Sequence, residues 1–280
     1  MTYKPSSLIA ALLVVSSFSV APQQPQPYKI PVICSTSHDV PEPPHPPTPH
    51  EANPSTTEAQ ALQIEKAGRE HPGFLSMQEP ENFGILRYHL MEYATCTNPK
   101  QCYWNDLKGQ TGHAQSELRR LIAKHKGEDN LAMVLDIDET SLSNYCELQR
   151  EGFGFIATQF DNFLVSPDAS IAIPGTLELY NEAIANKVKV FFITGRSHQM
   201  AEATARDLHL AGYANWSGLI LRNEDELTMD TTWYKSTERT KIVASGYRII
   251  LSVGDQWSDL NGSPAAEINV KLPNPFYFLP

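Results

Sequence analysis

Two kinds of apolar spacing divide the chain. From residue 131 onward, short apolar runs alternate with stretches whose apolar positions recur every three to four residues. The runs at 131–135 (Leu-Ala-Met-Val-Leu), 187–193 (Lys-Val-Lys-Val-Phe-Phe-Ile), 219–221 and 248–253 have the length and content of buried strands. Residues 176–185, 198–210 and roughly 234–245 lie between them with helical spacing. Strands alternating with helices predict an α/β fold with a parallel sheet and right-handed crossovers. Such sheets bind ligands outside the carboxyl ends of their strands, so a site is expected just after these runs.

Before residue 131 the pattern is helical or absent. Helices are expected over 58–70, over 83–93 with Ile85, Leu86, Leu90 and Met91 at helical spacing, and over 106–126 with Leu107, Leu118, Leu121 and Ile122. From Pro22 to Pro54 the chain is proline-rich without apolar periodicity, which predicts an extended or disordered linker in which His45 and His50 are solvated. At the start, Lys4 precedes an apolar run from Leu8 to Val15, and Ser19-Val20-Ala21 has the small-x-small form of a leader cleavage site. The run is shorter than the about 20 apolar residues of a stable membrane span. The expected organisation is a leader over 1–21, a linker over 22–56, a helical extension over 57–128 and an α/β domain over 129–280. The expected location is secreted or periplasmic.

Composition narrows the partners. The net charge of −10 argues against a nucleic acid duplex, whose phosphates select basic faces. It leaves small anionic substrates open, because one cation and a few donors reverse the field inside a cleft. An exported chain is free to form disulfides. Of the four cysteines, Cys96 and Cys102 flank a turn-like Thr97-Asn98-Pro99-Lys100 and are either a disulfide or two buried thiols. No CxxC or Cys/His cluster points to zinc. No feature of the sequence encodes an oligomeric state.

The chemistry-bearing residues fall where the sheet predicts. The first run ends in Asp136-Ile137-Asp138-Glu139-Thr140, the second in Thr194-Gly195-Arg196 and the fourth in Gly254-Asp255 with Asp259 beyond it, while Lys235 opens the preceding helical segment. A calcium loop starting at Asp136 would put Ser141 where the sharp turn needs glycine, and a strand where it needs a helix.

In this order and spacing the motifs resemble the haloacid dehalogenase (HAD) superfamily. The segments LDIDETSLSNY, FFITGRS, LILR, YKSTER, GDQWSDL and KLPNPFYFLP are similar to its acid phosphatase branch, which includes class B and C acid phosphatases and plant vegetative storage proteins. The resemblance covers residues 131–280. It implies a Rossmann-like parallel sheet of HAD type with helices on both faces and a small cap insertion over 141–173, to which the helical extension read from the apolar spacing is added. Phe153, Phe155, Phe160 and Phe163 of the insertion either line a pocket or pack in the core. The implied activity is Mg²⁺-dependent hydrolysis of small phosphate monoesters through an aspartyl-phosphate. Asp136 would be the nucleophile, Asp138 the general acid and then base, and Lys235 the neutralising cation. Thr194 and the Gly195 amide would hold phosphate oxygens, with Arg196 either reaching the phosphate or lying on the surface. Mg²⁺ would be held by Asp136, the Asp138 backbone carbonyl, Asp255 and Asp259, the last directly or through water, while Thr140 orients the loop. Asp138 argues against a dehalogenase. A storage or binding protein with degenerate activity and a phosphotransferase are the competing readings.

Overall fold

Apolar runs that alternate between two faces build the centre of this molecule. The computed structural model describes residues 57–280 other than Phe74, Ser76, Gln78, Pro99, 167–169 and Pro280. The expected leader and linker, with Cys34, His45 and His50, lie outside the described residues. The strands are β1 (Leu131–Leu135), β2 (Leu142–Ser143), β3 (Ile171–Ala172), β4 (Lys189–Ser197), β5 (Gly218–Arg222), β6 (Arg248–Gly254) and β7 (Ile268–Lys271). The helices are α1 (Glu58–Glu70), α2 (Phe83–Thr95), α3 (Tyr103–Lys124), α4 (Tyr145–Arg150), α5 (Ala157–Leu164), α6 (Pro174–Ala185), α7 (Ala201–Leu210), α8 (Thr231–Ala244) and α9 (Trp257–Leu260).

Five strands form one sheet in the order β5-β4-β1-β6-β7, with every pairing parallel. The chain steps from β1 outward to β4 and β5, then returns to place β6 and β7 on the other side. This reversal opens a crevice at the carboxyl end of β1, where doubly wound sheets bind ligands. Strand periodicity sends Leu131, Met133 and Leu135 into a core with Leu118 of α3 and Leu179 of α6. Ala132 and Val134 point the other way, into a core with Tyr234 and Ile242 of α8. Helices therefore cover both faces, as a parallel sheet requires.

Several boundaries differ from the sequence expectation. Strand β4 continues through Thr194, Gly195 and Arg196 instead of ending before them, and its register with β5 breaks between Ile193 and Ser197. Strand β7 is an addition; Asn269 and Lys271 interrupt its apolar pattern. Helix α8 starts earlier than its apolar spacing suggests, because Asp230 caps it by accepting from the Trp233 amide at 2.9 Å. Lys235 thus lies one turn inside the helix. Residues 141–173 contain α4, α5 and the antiparallel β2–β3 ribbon. Their aromatics divide: Phe153 joins the main core, Phe163 is buried in a small cluster with Leu164, Phe160 and Met200, and Phe155 is exposed. Cys96 and Cys102 form a disulfide across the α2–α3 turn.

Candidate active site

The loop after β1 is held tightly before any chemistry is considered. The Asp136 amide donates to the Val253 carbonyl of β6 at 3.0 Å. The Ser141 hydroxyl donates to the Asp136 carbonyl at 2.7 Å, and Glu139 turns the chain through a left-handed φ of 55°. The Asp136 side chain then faces Lys235. The Lys235 ammonium donates to Asp136 Oδ1 and to the Ile193 carbonyl at 2.6 Å, and pairs with Asp259 Oδ1 at 2.9 Å. Asp259 is fixed from behind by the Gln256 amide, 2.8 Å from its Oδ2. Gly254 permits this approach: a Cβ there would lie 2.4 Å from Asp259 Cβ.

Asp136, Asp255 and Asp259 each offer a carboxylate oxygen within 4.8 Å of the others, and all three are buried. Asp136 and Asp259 share the Lys235 ammonium, and all three carboxylates crowd one another. Burial pushes the Asp136 carboxyl well above its usual range, reinforced by Asp259 and opposed by Lys235. Burial and then the Asp259 charge push Asp255 up to about 7, against hydrogen bonds from Asn274 and Gln256. For Lys235, burial disfavours the charge, but Asp136 and Asp259 outweigh it and raise its pKa. A compact, buried set of hard oxygen donors fits a metal cation.

Asp138 belongs to a second cluster beside the first. Its oxygens accept from Arg196 Nη2 at 2.7 Å and Nε at 3.1 and 3.2 Å, from Asn144 Nδ2 at 2.8 Å and from the Thr194 hydroxyl at 3.5 Å. Its side chain is outside the three-carboxylate group. Burial would lift its carboxyl, but the Arg196 charge and its hydrogen bonds hold it below the usual aspartate value. Arg196 itself is buried, donates to the Thr204 hydroxyl at 3.3 Å and lies 3.8 Å from Asp207. Of the two expectations for Arg196, the surface position is corrected: the guanidinium is buried and paired with carboxylates. Gly195 sits on the exposed side of β4, with open space where a Cβ would be.

Thr140, expected to orient the loop, and three residues without an expected role bind these clusters together. The Thr140 hydroxyl donates to Asp255 Oδ1 at 3.0 Å, joining the loops after β1 and β6. Glu139 is fully buried and accepts from the Asn144 amide at 2.5 Å and the Tyr277 hydroxyl at 3.2 Å. Burial, then the Asp138 charge, push its carboxyl up to about 8. Gln256 and Asn274 each donate to Asp255 Oδ2 at 2.7 Å. A local signal existed for one of them, since Asn274 is the polar residue between Pro273 and Pro275.

A family model described as HAD superfamily, subfamily IIIB (Acid phosphatase), matches residues 76–280. "Acid phosphatase 1" of Solanum lycopersicum is 39% identical over 149 residues, covering 52% of this chain and 58% of that protein. The chain thus spans little more than half the length of that relative. "Stem 31 kDa glycoprotein" of Glycine max is 32% identical over 190 residues, covering 66% of this chain and 74% of that one. Among solved structures, the class C acid phosphatase from Bacillus anthracis with tungstate bound superposes with a TM-score of 0.56. It is 21% identical and covers 69% of this chain and 86% of its own, a likeness of fold.

Proposed function

We propose, from the premise that the chain belongs to subfamily IIIB of the HAD superfamily, the acid phosphatases, that it is an exported Mg²⁺-dependent phosphatase acting on small phosphate monoesters. The observation that carries this reading is Asp136, gripped by Lys235 and grouped with Asp255 and Asp259 at the carboxyl ends of β1 and β6. Asp136, Asp255, Asp259 and the Asp138 backbone carbonyl would hold Mg²⁺, which offsets the charge that otherwise keeps an anionic nucleophile from a phosphate ester.

The residues then divide the work. Thr194 and the Gly195 amide hold phosphate oxygens, and Lys235 offsets charge on the nucleophile. Asp136 attacks phosphorus, the ester oxygen departs, and Asp138 gives it a proton. Asp138, now a carboxylate, takes a proton from water as that water attacks the aspartyl-phosphate, which releases phosphate and restores Asp136. Arg196 is a positioning residue that aims Asp138 and favours its ionised form. Protonation of Asp138 for the first step therefore suits an acidic working pH. Export is supported by the leader-like start and by the Cys96–Cys102 disulfide, which suits an oxidising compartment.

The test is release of p-nitrophenol from p-nitrophenyl phosphate across pH, with Mg²⁺, with EDTA and with Asp136→Asn. Turnover that needs the metal and disappears in the variant supports the proposal. Phosphate transfer to an added alcohol in place of water would make the protein a phosphotransferase. A folded, metal-loaded protein inert under all conditions would favour a storage or binding role.

A further inference from the structure

The chain does not end at the last strand of the sheet. After β7, the Leu272 amide donates to the Gly254 carbonyl at 2.8 Å and carries the pairing one residue further. The following segment, 273–279, then turns back across the loops that follow β1 and β6. Its anchor is Phe276, which is buried and lies 5.8 Å from Phe153, 5.0 Å from Tyr103 and 5.4 Å from Tyr145, ring centre to ring centre. Pro273 and Pro275 restrict the backbone on either side of Asn274. The Gln256 side chain adds two ties: it donates to the Tyr277 carbonyl at 3.4 Å and accepts from the Leu279 amide at 3.1 Å.

Within this strap the Asn274 amide has a defined orientation. Its Oδ1 accepts from the Phe276 backbone amide at 2.9 Å, so the opposite atom, Nδ2, faces Asp255 and donates to Oδ2 at 2.7 Å. Gln256 Nε2 donates to the same oxygen at 2.7 Å, while Thr140 donates to Oδ1 at 3.0 Å. Three donors from three segments thus fix the plane of one buried carboxylate. From the same strap, the Tyr277 hydroxyl reaches Glu139 of the β1 loop at 3.2 Å. Carboxylates that bind metals depend on such outer partners for their direction.

We propose that the C-terminal strap is a positioning element for the metal site, with Asn274 as the residue that aims Asp255. This deepens the preceding reading and rests on its assignment of Asp255 as a Mg²⁺ ligand. The strap's polar ties run to Asp255, Gln256 and Glu139, so the effect expected of it is on metal affinity.

The experiment is titration of the full-length protein with Mg²⁺ by calorimetry and with Mn²⁺ by electron paramagnetic resonance, alongside melting in EDTA. Asn274→Ala should weaken metal binding roughly 10- to 100-fold. Its kcat at saturating Mg²⁺ should return towards that of the wild type, and its KM for p-nitrophenyl phosphate should stay unchanged. Asn274→Ser retains a short acceptor for the Phe276 amide but cannot reach Asp255. It should show the same loss, which keeps the inference testable if the alanine variant unfolds. Phe278→Ala, in the same strap but exposed, should bind metal normally. A folded Asn274→Ala or Asn274→Ser that binds Mg²⁺ as tightly as the wild type overturns the role of the strap. Asp255→Asn separates the two failures. If it too binds metal normally, the ligand assignment falls; if it loses metal while the Asn274 variants do not, only the strap proposal falls.

Discussion

The Arg196 guanidinium holds Asp138 through both Nη2 and Nε, at 2.7 Å and 3.1 Å from the same oxygen, so the residue after the glycine of β4 is bound to the second aspartate of the β1 loop. A phosphate ligand and a positioning residue differ in what their loss does. Arg196→Lys keeps the charge and avoids stranding a buried carboxylate, but lacks the planar fork. Misaiming Asp138 should lower kcat by roughly 10- to 100-fold, while KM for p-nitrophenyl phosphate moves less than about threefold. Steady-state kinetics on the folded variant decide it. A large rise in KM with kcat intact would return Arg196 to the phosphate.

Under the proposed function, metal binding at the three-carboxylate group is a stability effect as well. Burial and mutual repulsion push Asp136 and Asp255 upward in pKa, so a cation that relieves them binds the native state in preference to the unfolded one. Mg²⁺ at 100 times its dissociation constant should add about 2.7 kcal/mol, which for a domain of this size raises Tm by about 5–10 °C. Calorimetric melting with Mg²⁺ and then with EDTA checks this. An unchanged Tm at millimolar Mg²⁺ would argue against a metal at this group.

How much of this was legible in the sequence follows from which interactions are local. The strands carrying the motifs are read from apolar runs because a parallel sheet buries both faces, and Leu131–Leu135 is buried throughout. The switch point then gathers Asp136, Lys235, Asp255 and Asp259 without further information. What the sequence hides is set by side chains meeting across long separations. Arg196 reads as a free cation until Asp138 and Asp207 are placed around it. Asn274 and Tyr277 acquire a role only once the strap folds back on Asp255 and Glu139. Strand β7 is obscured because Asn269 and Lys271 break its apolar pattern on an edge strand, where polar residues are tolerated.

An ion-pair group far from the site sets a pH dependence of stability. At the end of α3, Lys124 Nζ lies 2.6 Å from Glu267 Oε2 and His125 Nε2 lies 2.7 Å from Oε1, tying the helix to the segment before β7. The Lys124 hydrogen bond holds the Glu267 carboxyl below its ordinary 4.5, opposed by burial and helped by the His125 and Lys124 charges. A carboxylate with a depressed native pKa stabilises the fold above its unfolded pKa, and that contribution disappears as pH falls through the native value. The wild type should therefore melt above Glu267→Gln at pH 7, and the gap should close as pH drops below about 4.5 towards 3. A gap that stays constant over this range would mean that shape, not charge, holds the contact.

The Cys96–Cys102 disulfide closes a short turn between two helices that brace the core. Cys96 ends α2 in a left-handed conformation with φ 55°, and Cys102 is the residue before α3. The two are six apart in sequence, so the chain-entropy account gives a stabilisation of about 2 kcal/mol. The neighbouring Tyr103 packs against Phe276, the anchor of the C-terminal strap, which could carry the loss of the disulfide into the metal site. The packing argues against that transmission. Tyr103 is fully buried, Trp104 donates to the Ala94 carbonyl at 3.0 Å, and Leu107 is fully buried one turn along, so the start of α3 is held without the sulfurs. The double variant Cys96→Ser/Cys102→Ser should lose about 2 kcal/mol in urea unfolding while keeping wild-type Mg²⁺ affinity and kcat. A matching fall in metal affinity would show that the strap depends on the α2–α3 turn for its position.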